Sequence, residues 1–296
     1  MILLTGATGT VGRALLRRLT AAGEQVRCLV RDPRRLGAER VRVQIALGDL
    51  ADPASFRHAL RGVDRVVHLA ASIRDQRHAP IEELNGVATL RLLRAAESAG
   101  VDRFIFFSAI GASLHAPARF FRAKALAEQA VLESSLDVLV FAPSLVYAAD
   151  DPFMRMLTRM SHLPVIPVAG SGRAVYQPIW ADDVAACVES ALGSDMATPA
   201  RQRVELAGPE LLSYAQIIRV VADAAGRPRP LIRLPLGLVR RALDSLEWVA
   251  RDSAFATAEE ASLMAIPMVS GKGTAGAESL GVEPLPIERV LGQQAA

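Results

Sequence analysis

The chain has 296 residues, 51% of them hydrophobic and 22% charged, which allows a sizeable core and argues against disorder. Its 34 basic residues face 31 acidic ones, for a formal net charge of +3, and only Lys124 and Lys272 are lysine. With no long basic block and no aromatic residues interleaved with base, the surplus argues against nucleic-acid binding.

Met1–Leu4 is a short apolar run, followed at once by Thr5-Gly6-Ala7-Thr8-Gly9-Thr10-Val11-Gly12-Arg13. Val11, Leu15, Leu16 and Leu19 then recur at helical spacing, and Gly23 closes the helix. Strand, glycine-rich turn and helix in that order are the setting that a dinucleotide fingerprint requires. Glycines at 6, 9 and 12 suit a tight turn, a pyrophosphate close to bare backbone, and a helix packed near its strand. The unpaired N–H groups that open the helix, from Thr10 and Val11 onward, favour an anion.

Gln25–Val30 reads as a second strand and Val41–Leu47 as a third. Asp52 caps a short helix that begins with Pro53. Asp64–Leu69 is a fourth strand, Ile81–Ala99 a long helix ended by Gly100, and Arg103–Phe107 an almost wholly apolar fifth strand. Arg119–Glu133 is helical and Val138–Ala142 is the sixth strand. This alternation predicts an α/β fold with a doubly wound parallel sheet.

From Asp150 the rhythm breaks. A short helix at Met154–Met160 precedes a proline- and glycine-punctuated loop, Pro164–Gly172. Tyr176–Trp180 is extended, Asp183–Leu192 helical, and Arg203–Leu206 one more strand. Helices near Tyr214–Ala225 and Leu236–Val249 follow, and the stretch from Ser270 shows no pattern. We therefore expect a dinucleotide-binding domain over 1–149, with 175–208 returning to it, and a smaller lobe from 150–174 and 209–296.

The end of the second strand usually decides cofactor choice: a carboxylate there bonds the ribose 2′-hydroxyl of NAD, whereas arginine accommodates the 2′-phosphate of NADP. Asp32 lies 20 positions after Gly12 and fits the first pattern. Arg31 precedes it, with Arg34 and Arg35 close by, and guanidinium matches phosphate bidentately. The reading favours NADP(H), with NAD second.

Thr-Gly-Ala-Thr-Gly and its Gly-x-x-Gly-x-x-Gly spacing resemble the short-chain dehydrogenase/reductase superfamily, a Rossmann-type fold with a C-terminal substrate lobe. The resemblance runs to about Asp183. It implies that Gly6, Thr8, Gly9, Thr10, Val11 and Gly12 hold the pyrophosphate. Asp49-Leu50 would hold adenine, and Leu69-Ala70-Ala71 would line the middle of the cofactor. Pro143, in Pro143-Ser144-Leu145-Val146-Tyr147, would pass the nicotinamide. Turn capping explains Asp49 equally well.

In that superfamily a serine after the fifth strand positions the carbonyl. On the next helix a Tyr-x-x-x-Lys pair supplies the acid, with its lysine lowering the tyrosine pKa and holding the ribose. Ser108 and Lys124 stand at those places, but the tyrosine position is Phe120. A phenyl ring has no proton to give. Ser108 serves equally well as a helix or turn cap, and the plain alternative for Lys124 is a solvated helix face. Tyr147, Tyr176 and His115 are the candidates to stand in as acid. Asn85 matches the helix asparagine that supports a backbone kink. Asp182 and Asp183 read as cap and helix-dipole partners.

The segments 106–112, 119–124 and 176–179 resemble most the atypical branch that includes NmrA-like proteins and the nucleotide-binding accessory subunit of respiratory complex I. Three classes of function follow: a weak or reassigned oxidoreductase, a non-catalytic NADP(H) sensor or accessory subunit, and a sugar-nucleotide epimerase or dehydratase. The amphipathic 236–249 stretch could meet a protein partner or a membrane surface, or pack on its own lobe. The histidines lack metal spacing, Cys28 and Cys187 are too few for a disulfide framework, and the expected address is the cytoplasm.

Overall fold

The computed structural model describes residues 1–76, 79–193, 201–235, 237, 239 and 258–295. Seven parallel strands form the central sheet: β1 (Ile2–Thr5), β2 (Val26–Val30), β3 (Gln44–Leu47), β4 (Arg65–His68), β5 (Arg103–Phe107), β6 (Asp137–Pro143) and a late strand, Gln202–Leu206. Their order is the late strand, β6, β5, β4, β1, β2, β3, and every pair runs parallel.

Strand alternation sends neighbouring residues to opposite faces. Ile2, Leu4, Val67, Ile105, Phe107, Leu139 and Phe141 pack with helix α1 (Thr10–Ala21), as do Val184, Cys187 and Val188 of the helix Ala181–Leu192. Leu3, Val66, Phe104, Phe106, Val138 and Val140 turn the other way. There they meet Leu92, Leu93 and Ala96 of the helix Ala88–Ala99, and Ala127 and Val131 of the helix Arg119–Glu133. A third apolar cluster joins Tyr147, Met154 and Ile166 to Tyr176, Ile217 and Ile287, beyond the sheet.

Several elements differ from the sequence reading. A 3-10 segment, Pro33–Val41, takes in the expected start of β3, so that strand begins at Gln44. The helix expected over 81–99 contains a π-helical turn, Glu83–Val87. Ile166–Ala169 is a strand rather than loop, paired in parallel with Leu231–Leu234. Its Pro167 is tolerated because a two-stranded ribbon leaves alternate N–H groups without a ladder partner. After Ser270 come two helices, Ala275–Glu278 and Ile287–Ala295. A β-carbon on Gly276 would stand 1.9 Å from the Glu205 carbonyl oxygen, so only glycine lets that segment lie on the late strand. The helix expected at 236–249 lies outside the described residues, apart from positions 237 and 239. Among the described residues no helix is long and apolar enough to cross a membrane.

The chain runs from β1 outward to β3 on one side, then crosses back to β4 and proceeds the other way. The order thus reverses between β1 and β4. In open parallel sheets a crevice forms at such a point, outside the carboxyl ends of the strands.

Candidate functional site

A cavity of about 370 Å³ opens at that reversal. Gly6, Thr8 and Gly9 form one wall, and Leu69, Ala70 and Ala71, which follow β4, form another. Arg31, Asp32 and Arg35 close the β2 end, with Asp49 and Leu50 beside them. These residues bring together nine of the positions that the sequence reading assigned to a cofactor.

The glycines differ in what they allow. Gly6 has φ +73°, and a β-carbon there would lie 2.6 Å from Ala70 N. A β-carbon on Gly12 would lie 2.1 Å from Gly6 O and 2.8 Å from Ala7 Cα. These two hold the turn against its own neighbours. Gly9 is different: its added carbon would meet only Gly6 O, at 3.3 Å. It is the N-cap of α1, with no side chain bonded to the cap, and it leaves bare backbone on the cavity wall. Thr10, Val11 and Gly12 form the first turn of α1 behind that wall rather than part of it. A helix N-terminus and a wall of bare backbone suit a pyrophosphate. The residues present fit a dinucleotide.

At the β2 end the two signals separate. The Asp32 carboxylate accepts from Arg34 N at 3.1 Å and from Arg34 Nε at 3.0 Å, capping the 3-10 segment. Those bonds hold it below the usual carboxylate range. Arg31 instead reaches over the cavity, donating from Nη1 to Gln76 Oε1 at 2.8 Å, with Asp49 Oδ2 at 3.9 Å. Asp49 itself accepts from Ala51 N at 3.0 Å, so it is a turn cap as well as a wall residue.

Ser108, Lys124 and Pro143 are not among the residues that line this cavity; Pro143 is the last residue of β6. Lys124 is 2% exposed; its Nζ donates to Phe107 O at 2.6 Å and sits 4.8 Å from the Phe106 ring centroid and 5.9 Å from that of Phe120. Burial pulls its ammonium down to about 7. The alternative of a solvated helix residue is therefore excluded. The Ser108 hydroxyl donates to Glu128, which pairs with Arg203 at 2.8 Å. Of the stand-in acids, Tyr147 is fully buried, and burial raises its hydroxyl further above the usual range. Tyr176 donates to Met264 O at 2.7 Å, and His115 is exposed.

Asn85 is fully buried in the π-helical turn, where its amide donates to Ser72 O and Ile81 O at 2.7 and 2.8 Å and its carbonyl accepts from Ser72 N at 3.0 Å. It stitches the loop after β4 to a kinked helix. Asp182 and Asp183 stand in the first turn of their helix, after an N-cap at Trp180. Asp182 pairs with Arg18, and Asp183 accepts from Leu285 N. The sequence reading missed Ser72 and Gln76 on the wall; neither carries a motif. Arg35 it saw only as one of a charged trio.

The sequence model described as NAD(P)H-binding matches residues 6–162. The chain belongs to that NAD(P)H-binding family. It is 29% identical over 250 residues to an Arabidopsis thaliana protein named NADH dehydrogenase [ubiquinone] 1 alpha subcomplex subunit 9, mitochondrial, covering 79% of this chain and 60% of that one. It is also 29% identical to an NAD(P)H azoreductase of Xenophilus azovorans, covering 83% and 81%. The UDP-glucose 4-epimerase of Thermotoga maritima superposes with a TM-score of 0.75, covering 99% and 97% at 20% identity, a likeness of fold alone.

Proposed function

We propose that the protein binds NADP(H) in preference to NAD(H) and uses it in a weak or reassigned oxidoreduction that has no tyrosine acid. The observation that carries the preference is the division of labour at the end of β2. All three residues line the cavity, but the Asp32 carboxylate is engaged by Arg34, whereas Arg31 and Arg35 make no hydrogen bond to a carboxylate among the described residues. Opposite charge there favours a 2′-phosphate. When bound, the nicotinamide supplies hydride. The chain's own part is to cradle the pyrophosphate on Gly6 to Gly9 and to orient the adenosine end with Arg31.

A second reading, a non-catalytic sensor or accessory subunit, is favoured by Lys124, whose burial removes it from any ribose at the cavity wall. The name of the Arabidopsis relative agrees with it, and that of the azoreductase agrees with the first. Fluorescence titration with NADPH and NADH, followed by turnover assays on quinones, azo dyes, aldehydes and ketones, tests both. Tighter NADPH binding with slow turnover supports the first reading. Binding without turnover leaves the second, and equal affinity for the two cofactors removes the proposed preference.

A further inference from the structure

We propose that Gln76 is a specificity-determining residue, holding Arg31 across the adenosine end of the cavity as a cation for a ribose 2′-phosphate. The inference rests on the NADP(H) reading above and concerns a residue on the opposite wall, 45 positions further along the chain.

Arg31 has 52% of its side chain exposed, so nothing in the core fixes its direction. Its one side-chain hydrogen bond among the described residues goes to Gln76 Oε1, at 2.8 Å. The nearest carboxylate oxygen, Asp49 Oδ2, stands at 3.9 Å, an ion pair that offsets part of the Arg31 charge but lies beyond a hydrogen bond and does not aim the fork. Asp49 is also held in its own turn by Ala51 N. Gln76 therefore decides where the guanidinium points.

Gln76 can do this because its backbone is pinned. Its N–H donates to Ala79 O at 2.9 Å and its carbonyl accepts from Ala79 N at 3.1 Å. The preceding residue, Asp75, accepts from Ile81 N at 2.8 Å and from Arg119 at 2.8 and 3.2 Å. An anchor held on both sides presents its amide at a set place.

The chemistry of the anchor matters as much as its position. An amide oxygen accepts one N–H of the guanidinium and carries no net charge, so Arg31 keeps its positive charge and the rest of its five-donor fork. A carboxylate at the same place would orient Arg31 equally well and cancel it. Gln76 is thus a positioning residue that acts through Arg31, and its effect falls on a ligand with a 2′-phosphate rather than on one with a hydroxyl.

The test measures dissociation constants of NADPH and NADH, and of 2′,5′-ADP and 5′-ADP, for the wild type, Gln76→Glu and Gln76→Ala. Gln76→Glu is expected to weaken NADPH and 2′,5′-ADP by roughly ten-fold or more, as removal of a charge-assisted contact does, and to leave NADH and 5′-ADP within about two-fold. Gln76→Ala, which frees Arg31 without neutralising it, is expected to weaken the 2′-phosphate ligands by a smaller factor. A wild type that prefers NADPH, with both variants keeping that preference, overturns the inference and spares the reading beneath it. Equal losses for all four ligands also overturn it, since they mark a merely structural role. A wild type with no preference takes down the NADP(H) reading itself.

Discussion

Lys124 donates a 2.6 Å hydrogen bond to the carbonyl oxygen of Phe107, the last residue of β5. That bond turns the amine of the expected catalytic helix inward, under the rings of Phe106 and Phe120, where it is 2% exposed. A buried ammonium with one carbonyl partner is poorly solvated, and its pKa falls from 10.5 to about 7. The same fact sets a stability prediction and limits the catalytic one.

The unfolded chain holds the Lys124 proton up to its ordinary pKa, whereas the folded chain releases it near 7. Between those values the unfolded state binds more protons, so stability rises with pH across that window, and the penalty is complete below it. The slope from this one group is at most about 1.4 kcal/mol per pH unit. Lys124→Met, which keeps the length of the side chain, is expected to be more stable than wild type at pH 7. The difference should shrink as pH rises toward 10. Urea melts of both proteins at pH 7, 8 and 9 check this; a constant difference refutes it.

Gly9 and Gly12 separate binding from folding. Gly9→Val is expected to fold and to lose dinucleotide binding, because its β-carbon meets only Gly6 O, at 3.3 Å, a contact that a small shift relieves, while its branches occupy the cavity wall. Gly12→Ala drives a carbon to 2.1 Å from Gly6 O, so α1 must shift. It is expected to lose about 3 kcal/mol of stability, at the upper end of overpacking costs. Calorimetric titration and thermal melts of the two variants give the contrast. Wild-type affinity in Gly9→Val would sink the cradle.

Arg31→Ala is expected to weaken NADPH by on the order of ten- to a hundred-fold, from loss of one charge-assisted pair, with little change for NADH. Asp32→Ala is expected to lower stability instead, since the Asp32 carboxylate caps the segment that follows. Should Asp32→Ala weaken NADH while Arg31→Ala spares NADPH, the carboxylate is the ribose ligand and the assignment reverses.

The sheet was legible because each strand carries its own signal. The apolar runs at β1, β5 and β6 and the glycines that end the helices are local facts. The cavity's glycine wall followed from glycine spacing set between an apolar strand and a helix. What sequence could not show was direction. Whether Asp32 faces ligand or Arg34, and whether Lys124 faces a cleft or the core, depends on rotamers set by neighbours far along the chain. Gln76 had no signal at all: its role comes from a loop that lands opposite Arg31. Ile166–Ala169 was hidden for a related reason, since its partner strand lies more than 60 residues later.

The last prediction concerns Phe120. A general acid is typically worth roughly 10²–10⁴-fold, and this helix position offers no proton, so slow reduction of aldehydes and ketones is expected from the wild type. Phe120→Tyr restores a hydroxyl one helical turn from Lys124. The gain is nevertheless expected to stay below about a hundred-fold, the lower bound for such an acid. Lys124 is bonded to Phe107 O, and the Ser108 hydroxyl is bonded to Glu128, so neither partner of the new tyrosine is free to assist it. Turnover of wild type and Phe120→Tyr with NADPH across pH 6–9 measures the gain and shows whether a new ionisation accompanies it. A wild type already fast on carbonyls, unchanged by Phe120→Tyr and stopped by Tyr147→Phe, would overturn this account. It would require the fully buried Tyr147, whose hydroxyl burial holds in its neutral form, to reach the substrate after a rearrangement of the cluster around it.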